Sequence, residues 1–230
     1  MRREGIKNAL RLGLLAALLV FAVSACAGGV GGGSDQAAQQ QSKEHTLPNH
    51  NGPLTPGRYF SQEFKPPLSL TLAKGWALRF TETANAFDIM RAGPTMRVGM
   101  DMSVAPGITF LHVKQVYDYP SGAVSHTPDD IAAWLEKHPD LNAAKPVATK
   151  VGGVKAVRID TQRPSDDVIL FPLSSETDWG VNPKSRFRFI VVEDVEGKTV
   201  IIAVGGPAGR FEELLPKAQK VLSTVEWKGA

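Results

Sequence analysis

Val147-Ala148-Thr149-Lys150-Val151-Gly152-Gly153-Val154-Lys155-Ala156-Val157-Arg158-Ile159-Asp160-Thr161 decides the fold class. Val147 to Val151 and Val154 to Thr161 are rich in β-branched residues, and Gly152-Gly153 between them is a turn that welcomes positive φ. This is the pattern of a β-hairpin. A second hairpin follows the same logic, with Phe187 to Val192 and Thr199 to Val204 joined across Glu196-Gly197. Upstream, Tyr59 to Ser61, Leu68 to Leu72, Trp76 to Phe80 and Phe87 to Arg91 read as short strands. In Met96 to Val104 apolar Met96, Val98, Met100 and Met102 alternate with Arg97, Gly99 and Asp101, a period of two.

Two segments read as helices. Thr127-Pro128-Asp129-Asp130 opens the first, with Thr127 as N-cap, Pro128 at the first helical position and acids at the positive end of the dipole. Ile131, Trp134 and Leu135 form its buried stripe, and His138-Pro139 ends it. In the second, Phe211, Leu214, Leu215, Ala218, Val221 and Leu222 share one face, and Pro216 kinks the helix or starts its regular part. Ser223 to Trp227 adds a last short strand. Strands grouped around two helices predict an α+β domain, an antiparallel β-sheet with helices packed against it.

The N-terminus reads as an address. Arg2, Arg3, Lys7 and Arg11 precede the uncharged run Leu12 to Ala22, and Val23-Ser24-Ala25 leads into Cys26. Basic, apolar and small residues in that order make an export signal, and the apolar run is about half the ~20 residues of a spanning helix. Arg2-Arg3 with Lys7 partly resembles a twin-arginine signal. Gly5 stands where that signal has a bulky residue, which favours the general export route.

Val23-Ser24-Ala25-Cys26 resembles the lipobox of bacterial lipoproteins. The resemblance implies cleavage before Cys26, a diacylglycerol on its thiol and an acylated new amine; two chains anchor stably where one binds marginally. Plain cleavage after Ala25 is the competing reading. Removing residues 1–25 takes away four basic side chains and one acid. The mature chain then carries 22 of each, and the formal +3 belongs to the signal. The composition gives no support for nucleic-acid binding. Cys26 is the single cysteine, which excludes an internal disulfide framework and a multi-thiolate metal site.

The expected organisation is a signal peptide at 1–25, a lipidated Cys26 with a flexible Gly/Gln/Ser linker to residue 53, and a single α+β domain over 54–230. A coil of the linker's length reaches ~30 Å, enough to hold a domain clear of headgroups. His45 and His50 in such a segment make a poor metal site.

Gly57-Arg58-Tyr59, Pro66-Pro67-Leu68, Gly75-Trp76, Trp134-Leu135, His138-Pro139, Val151-Gly152-Gly153 and Val221-Leu222-Ser223-Thr224-Val225 follow one another in that order. The series resembles exported domains of actinobacterial-type lipoproteins, and the strand–helix order resembles the PsbP-like α/β/α sandwich. The resemblance implies an accessory or binding module and supplies no catalytic motif; fold does not imply function.

The candidate chemistry is sparse. No GxSxG elbow is present. Ser125-His126 with Asp129 and Asp130 has the residue types of a triad, but the acids already serve the helix start. His112, His126 and His138 are too far apart in sequence for a helical metal pair, and His138 has a role at the helix C-terminus through the dipole. Met96, Met100 and Met102 on one strand face would suit Cu(I), or would pack as a core face. Arg186 and Arg188 alternate with Phe187 and Phe189. They offer a cationic face to an anionic ligand, or a solvent face partnered by acids such as Glu193 and Asp194.

Pro164 to Lys184 reads as a long loop holding Phe171, Asp178 and Trp179, the expected ligand or partner contacts unless Trp179 pins the loop to the core. Tyr117 and Tyr119 mark a second recognition loop. The expectation is a lipid-anchored, extracytoplasmic binding or accessory module without catalysis or cofactor. It would be held on the outer face of the cell membrane, or the periplasmic side of an envelope membrane, and would meet an envelope protein or a small ligand. The rivals are an exported envelope hydrolase and a copper-binding accessory protein.

Overall fold

The first hairpin forms at the expected residues, and it stands at the edge of the larger of two main sheets. The computed structural model describes residues 44–92, 105–162 and 164–228. The early strands are β1 (Glu44–Thr46), β2 (Gly52–Leu54), β3 (Gly57–Phe60), β4 (Leu68–Leu72), β5 (Trp76–Phe80) and β6 (Ala86–Arg91). Then come β7 (Gly107–His112), β8 (Gln115–Tyr117), β9 (Val124–His126) and helix α1 (Ile131–Lys137). The hairpin strands are β10 (Val147–Val151) and β11 (Val154–Asp160), followed by β12 (Val168–Pro172) and β13 (Asp178–Val181). The chain closes through β14 (Ser185–Val195), β15 (Lys198–Pro207), helix α2 (Phe211–Leu222) and β16 (Glu226–Trp227).

The eight-stranded sheet runs β10-β11-β14-β15-β7-β6-β5-β2, with every neighbouring pair antiparallel. A four-stranded sheet runs β1-β3-β4-β16 and is antiparallel except for the β1–β3 pair. The architecture is α+β, as the strand grouping predicts.

Both faces of the large sheet are covered. On one, Phe87, Phe110, Ile190 and Ile202 pack with Leu214, Ala218 and Val221 of α2 and with Leu68 and Leu70 of the smaller sheet. On the other, Leu111, Phe189, Val191 and Ile201 pack with Ile131 and Leu135 of α1 and with Phe171 of β12. Strand alternation sends successive residues of β14 into opposite cores, which is why this strand is apolar on both sides. Pro216 is accommodated inside α2 without ending it.

Several expectations are corrected. The linker was expected to run to residue 53, but β1 pairs with β3, β2 pairs with β5, and Leu47 and Leu54 are buried. His45 is stacked on Tyr59 at 5.2 Å rather than loose. Strands of three residues have too little length to show a period, so backbone pairing and two buried leucines fix them instead. Central β7 was not expected at all: Gly107-Ile108-Thr109-Phe110-Leu111 is buried on both sides and does not alternate.

Helix α1 starts later than Thr127. Asp130 is its N-cap and accepts a hydrogen bond from the Ala133 N–H at 2.8 Å, while the Thr127 hydroxyl donates to the Val113 carbonyl at 3.2 Å. The expected loop from Pro164 to Lys184 holds the β12–β13 hairpin. Its short strands and mid-strand bulge hide the alternation. Met96, Met100 and Met102 lie outside the described residues. No described helix is long and apolar enough to cross a membrane.

Candidate functional site

Two hairpins and one short helix crowd the same face of the large sheet. The β8–β9 turn is held by its own polar groups. The Asp118 N–H donates to the Ala123 carbonyl at 2.8 Å, the Ser125 hydroxyl donates to Asp118 Oδ1 at 2.8 Å, and Gly122 takes φ +65°. A cis peptide joins Tyr119 to Pro120, and the Tyr119 ring is 57% exposed on the turn. Tyr117, two residues earlier, ends strand β8. Its hydroxyl donates to Asp178 Oδ1 at 2.7 Å on the neighbouring β13. Accepting that bond, the Asp178 carboxylate raises the Tyr117 phenol above its ordinary value.

Helix α1 buries Ile131, Ala132 and Leu135 and leaves Trp134 half-buried on its flank. One turn on, at i+4, His138 is the C-cap and only 7% exposed. Its Nδ1 accepts from the Asp140 N–H at 3.4 Å, which assigns an unprotonated Nδ1. Burial pushes this imidazole below its ordinary value, with Asp140 opposing to a smaller degree. The expected favourable interaction of a charged His138 with the helix dipole is opposed by this burial, which disfavours the charged ring.

From the surface inward the rings form a series. Tyr119 and His138 centroids are 5.7 Å apart, His138 and Trp134 5.2 Å, Trp134 and Phe171 6.0 Å, and Phe171 and Trp179 5.8 Å. Trp179 then meets Phe187 at 5.6 Å and Phe189 at 5.9 Å, both edge to face. At the outer end of the series is a cleft of about 620 Å³ lined by Asp118, Tyr119, Asp130, Trp134, Lys137 and His138.

The expected aromatic and acidic contact residues separate into four groups. Tyr119 lines this cleft. Tyr117 and Asp178 bond to each other and lock the two hairpins. Trp179 is half-buried against three phenylalanines, so its geometry is that of the pinning residue. Phe171 is fully buried and is no surface contact, because β12 turns Ile169, 52% exposed, outward in its place.

Arg186 and Arg188 do not form an open cationic face. Arg186 lies over the Phe211 ring of α2 at 4.8 Å and pairs with Glu212 at 2.9 Å. Arg188 makes a forked contact with Asp160, its register partner on β11. The expected acids are elsewhere: Glu193 is exposed, and Asp194 Oδ1 accepts the Gly197 N–H at 3.1 Å in the β14–β15 turn. A central strand with both faces covered has no solvent face to give these arginines.

The triad residue types do not assemble at Ser125. Its hydroxyl bonds Asp118, His126 is exposed on β9, and Asp130 caps α1. Among the described residues no group of three or more His, Cys, Asp or Glu is placed to hold a metal ion.

Sequence reading gave Trp134 and His138 structural roles and passed over Asp118, Lys137 and the cleft they line. The available signal was the i, i+4 spacing of Trp134 and His138 at the end of a helix flanked by Asp129, Asp130 and Asp140, beside a Tyr-Pro turn.

No protein-family model matches the chain, and no curated protein matches it. Solved structures similar to it include LpqN, involved in cell envelope biogenesis of Mycobacterium tuberculosis, with 10% identity and a TM-score of 0.37 over 77% of this chain and 90% of that one. Cyanobacterial PsbP from Synechocystis is similar over 77% of this chain and 95% of its own, with 11% identity and a TM-score of 0.39.

Proposed function

We propose that the chain is an exported, lipid-anchored binding module that captures a ligand or an envelope protein in the cleft beside Tyr119, without catalysis. The anchor rests on Val23-Ser24-Ala25-Cys26 after a basic and apolar leader. One observation carries the binding reading. The exposed Tyr119 ring, the Trp134 flank and the His138 edge border a cleft of about 620 Å³ with carboxylates at its rim. Concave sites with aromatic walls and a few placed polar groups are the usual form of a ligand pocket. A serine nucleophile is ordinarily activated by an imidazole or amine, and the Ser125 hydroxyl donates instead to the carboxylate of Asp118, a much weaker base.

The test is capture from the cell's own envelope by the full chain and by its Tyr119→Ala variant after cross-linking. Loss of the captured species in Tyr119→Ala supports the cleft; equal capture removes it. The anchor has a separate test: Cys26→Ala should lose palmitate labelling and membrane association. A variant that keeps both refutes lipidation.

A further inference from the structure

Two aromatic hydrogen-bond donors border the cleft without a hydrogen-bond partner among the described residues, the Trp134 indole N–H and the Tyr119 hydroxyl. Both rings flank His138, at 5.2 and 5.7 Å between centroids, and Pro139 lies beside it. Such a wall suits a chain that offers flat apolar rings together with carbonyls that nothing else occupies. The polyproline II helix is that chain: it has no internal hydrogen bonds and rises ~3.1 Å per residue, so its rings recur every ~9 Å. Tyr119 and Trp134 both pack against His138 and line one cleft, so two aromatic rings are offered to a single stretch of such a chain.

The charge around the cleft selects further. Asp118 and Asp130 line it. Each commits Oδ1 internally, to the Ser125 hydroxyl and the Ala133 N–H, which leaves Oδ2 of both for a ligand. Asp129, Glu136 and Asp140 are close by in the same helix region, and Lys137 is the only Lys or Arg among the lining residues. A neutral sugar ring would stack on Tyr119 equally well and donate its hydroxyls to these carboxylates, but it carries no positive charge to match the acidic excess. A basic segment does.

Resting on the binding-module reading above, we propose that the cleft docks a proline-rich segment of an envelope protein in polyproline II conformation. Proline rings sit against Tyr119 and Trp134, the indole N–H and phenol O–H donate to peptide carbonyls, and a flanking Arg or Lys meets Asp118 and Asp130.

The probe is a short synthetic peptide, proline-rich and ended by arginines, titrated into the full chain and followed by Trp fluorescence and by polarisation of a label. Saturable binding is expected. It should weaken about tenfold in Tyr119→Ala and about fivefold in Trp134→Phe, which keeps a ring and removes the N–H. Asp118→Asn with Asp130→Asn keeps both Oδ1 acceptors and the helix cap. That pair should lower affinity and flatten its salt dependence. Circular dichroism of each variant checks that the fold is intact.

Absence of saturable binding to the wild type overturns the proposal. So does a proline-free peptide of equal charge that binds as tightly, or binding of neutral oligosaccharides in place of the peptide. If the peptide fails while Tyr119→Ala still abolishes envelope capture, the cleft stands and its proline-rich occupant falls. If Tyr119→Ala leaves capture unchanged, both fall.

Discussion

The Tyr117 hydroxyl donates to Asp178 Oδ1 at 2.7 Å, and this one bond ties the β8–β9 hairpin to the β12–β13 hairpin. Neither hairpin pairs with the large sheet: each is a separate two-stranded sheet lying on its face. Two-stranded ribbons are marginal alone, so packing and cross-links of this kind hold them.

Tyr117→Phe removes the link and keeps the ring. The midpoint of global unfolding should move little, since the bond is exposed. Amide exchange in 115–126 should quicken severalfold, which hydrogen-exchange mass spectrometry reads out. Unchanged exchange would show that side-chain packing alone fixes the hairpin.

His138 and His112 make stability pH-dependent in a defined direction. Burial lowers both imidazoles, and Lys114 and Lys198 lower His112 further. In the unfolded chain they take up protons near 6.5. Below that value the unfolded state therefore binds more protons than the folded one, and stability falls as pH falls from about 6.5 toward the depressed folded values. Above it the two histidines contribute no slope. Urea midpoints measured at a series of pH values should show this fall, and a His112→Gln, His138→Gln variant should flatten it.

Asp88 is 1% exposed on β6. It receives Arg79 Nε at 2.9 Å and the Thr109 hydroxyl at 2.5 Å. Asp88→Ala strips the carboxylate from a mostly buried guanidinium and should cost about 3–5 kcal/mol. Replacing both, Arg79→Met with Asp88→Leu, should recover most of that loss. A double-mutant cycle by urea denaturation decides, and additive losses would mean that the pair does not act as a unit.

At the hairpin turn, Gly152 has φ +57°, and a Cβ there would stand 2.7 Å from Trp227 Cδ1; at Gly153, φ +82°, nothing lies within 4 Å. The Trp227 indole N–H donates to the Val151 carbonyl at 3.0 Å, so the ring is not free to retreat. Gly152→Ala therefore combines backbone strain with overpacking and should cost about 2–4 kcal/mol. Gly153→Ala bears the strain alone, about 1 kcal/mol. Thermal unfolding of the two variants separates the terms, and equal losses would place Trp227 away from the turn.

Local pattern was enough for β4, β10, β11 and α2, whose bounds the spacing of apolar residues and the Gly152-Gly153 turn already state. β-Branched content, a Gly-Gly turn and the helical spacing of α2 are all properties of neighbours along the chain. The α+β class follows from the same signals.

What the chain order alone could not supply is non-local. Strand β7 enters the middle of the sheet through non-local partners, pairing Phe87 with Phe110 and Phe110 with Ile202. Arg186 is turned from a presumed solvent face onto Phe211 because another helix covers that side. The cleft exists because a turn at Tyr119 and a helix end at His138 meet across the surface. Residue type and spacing encode which side chains leave water; which of them then touch depends on how the sheets stack and which faces remain to be covered.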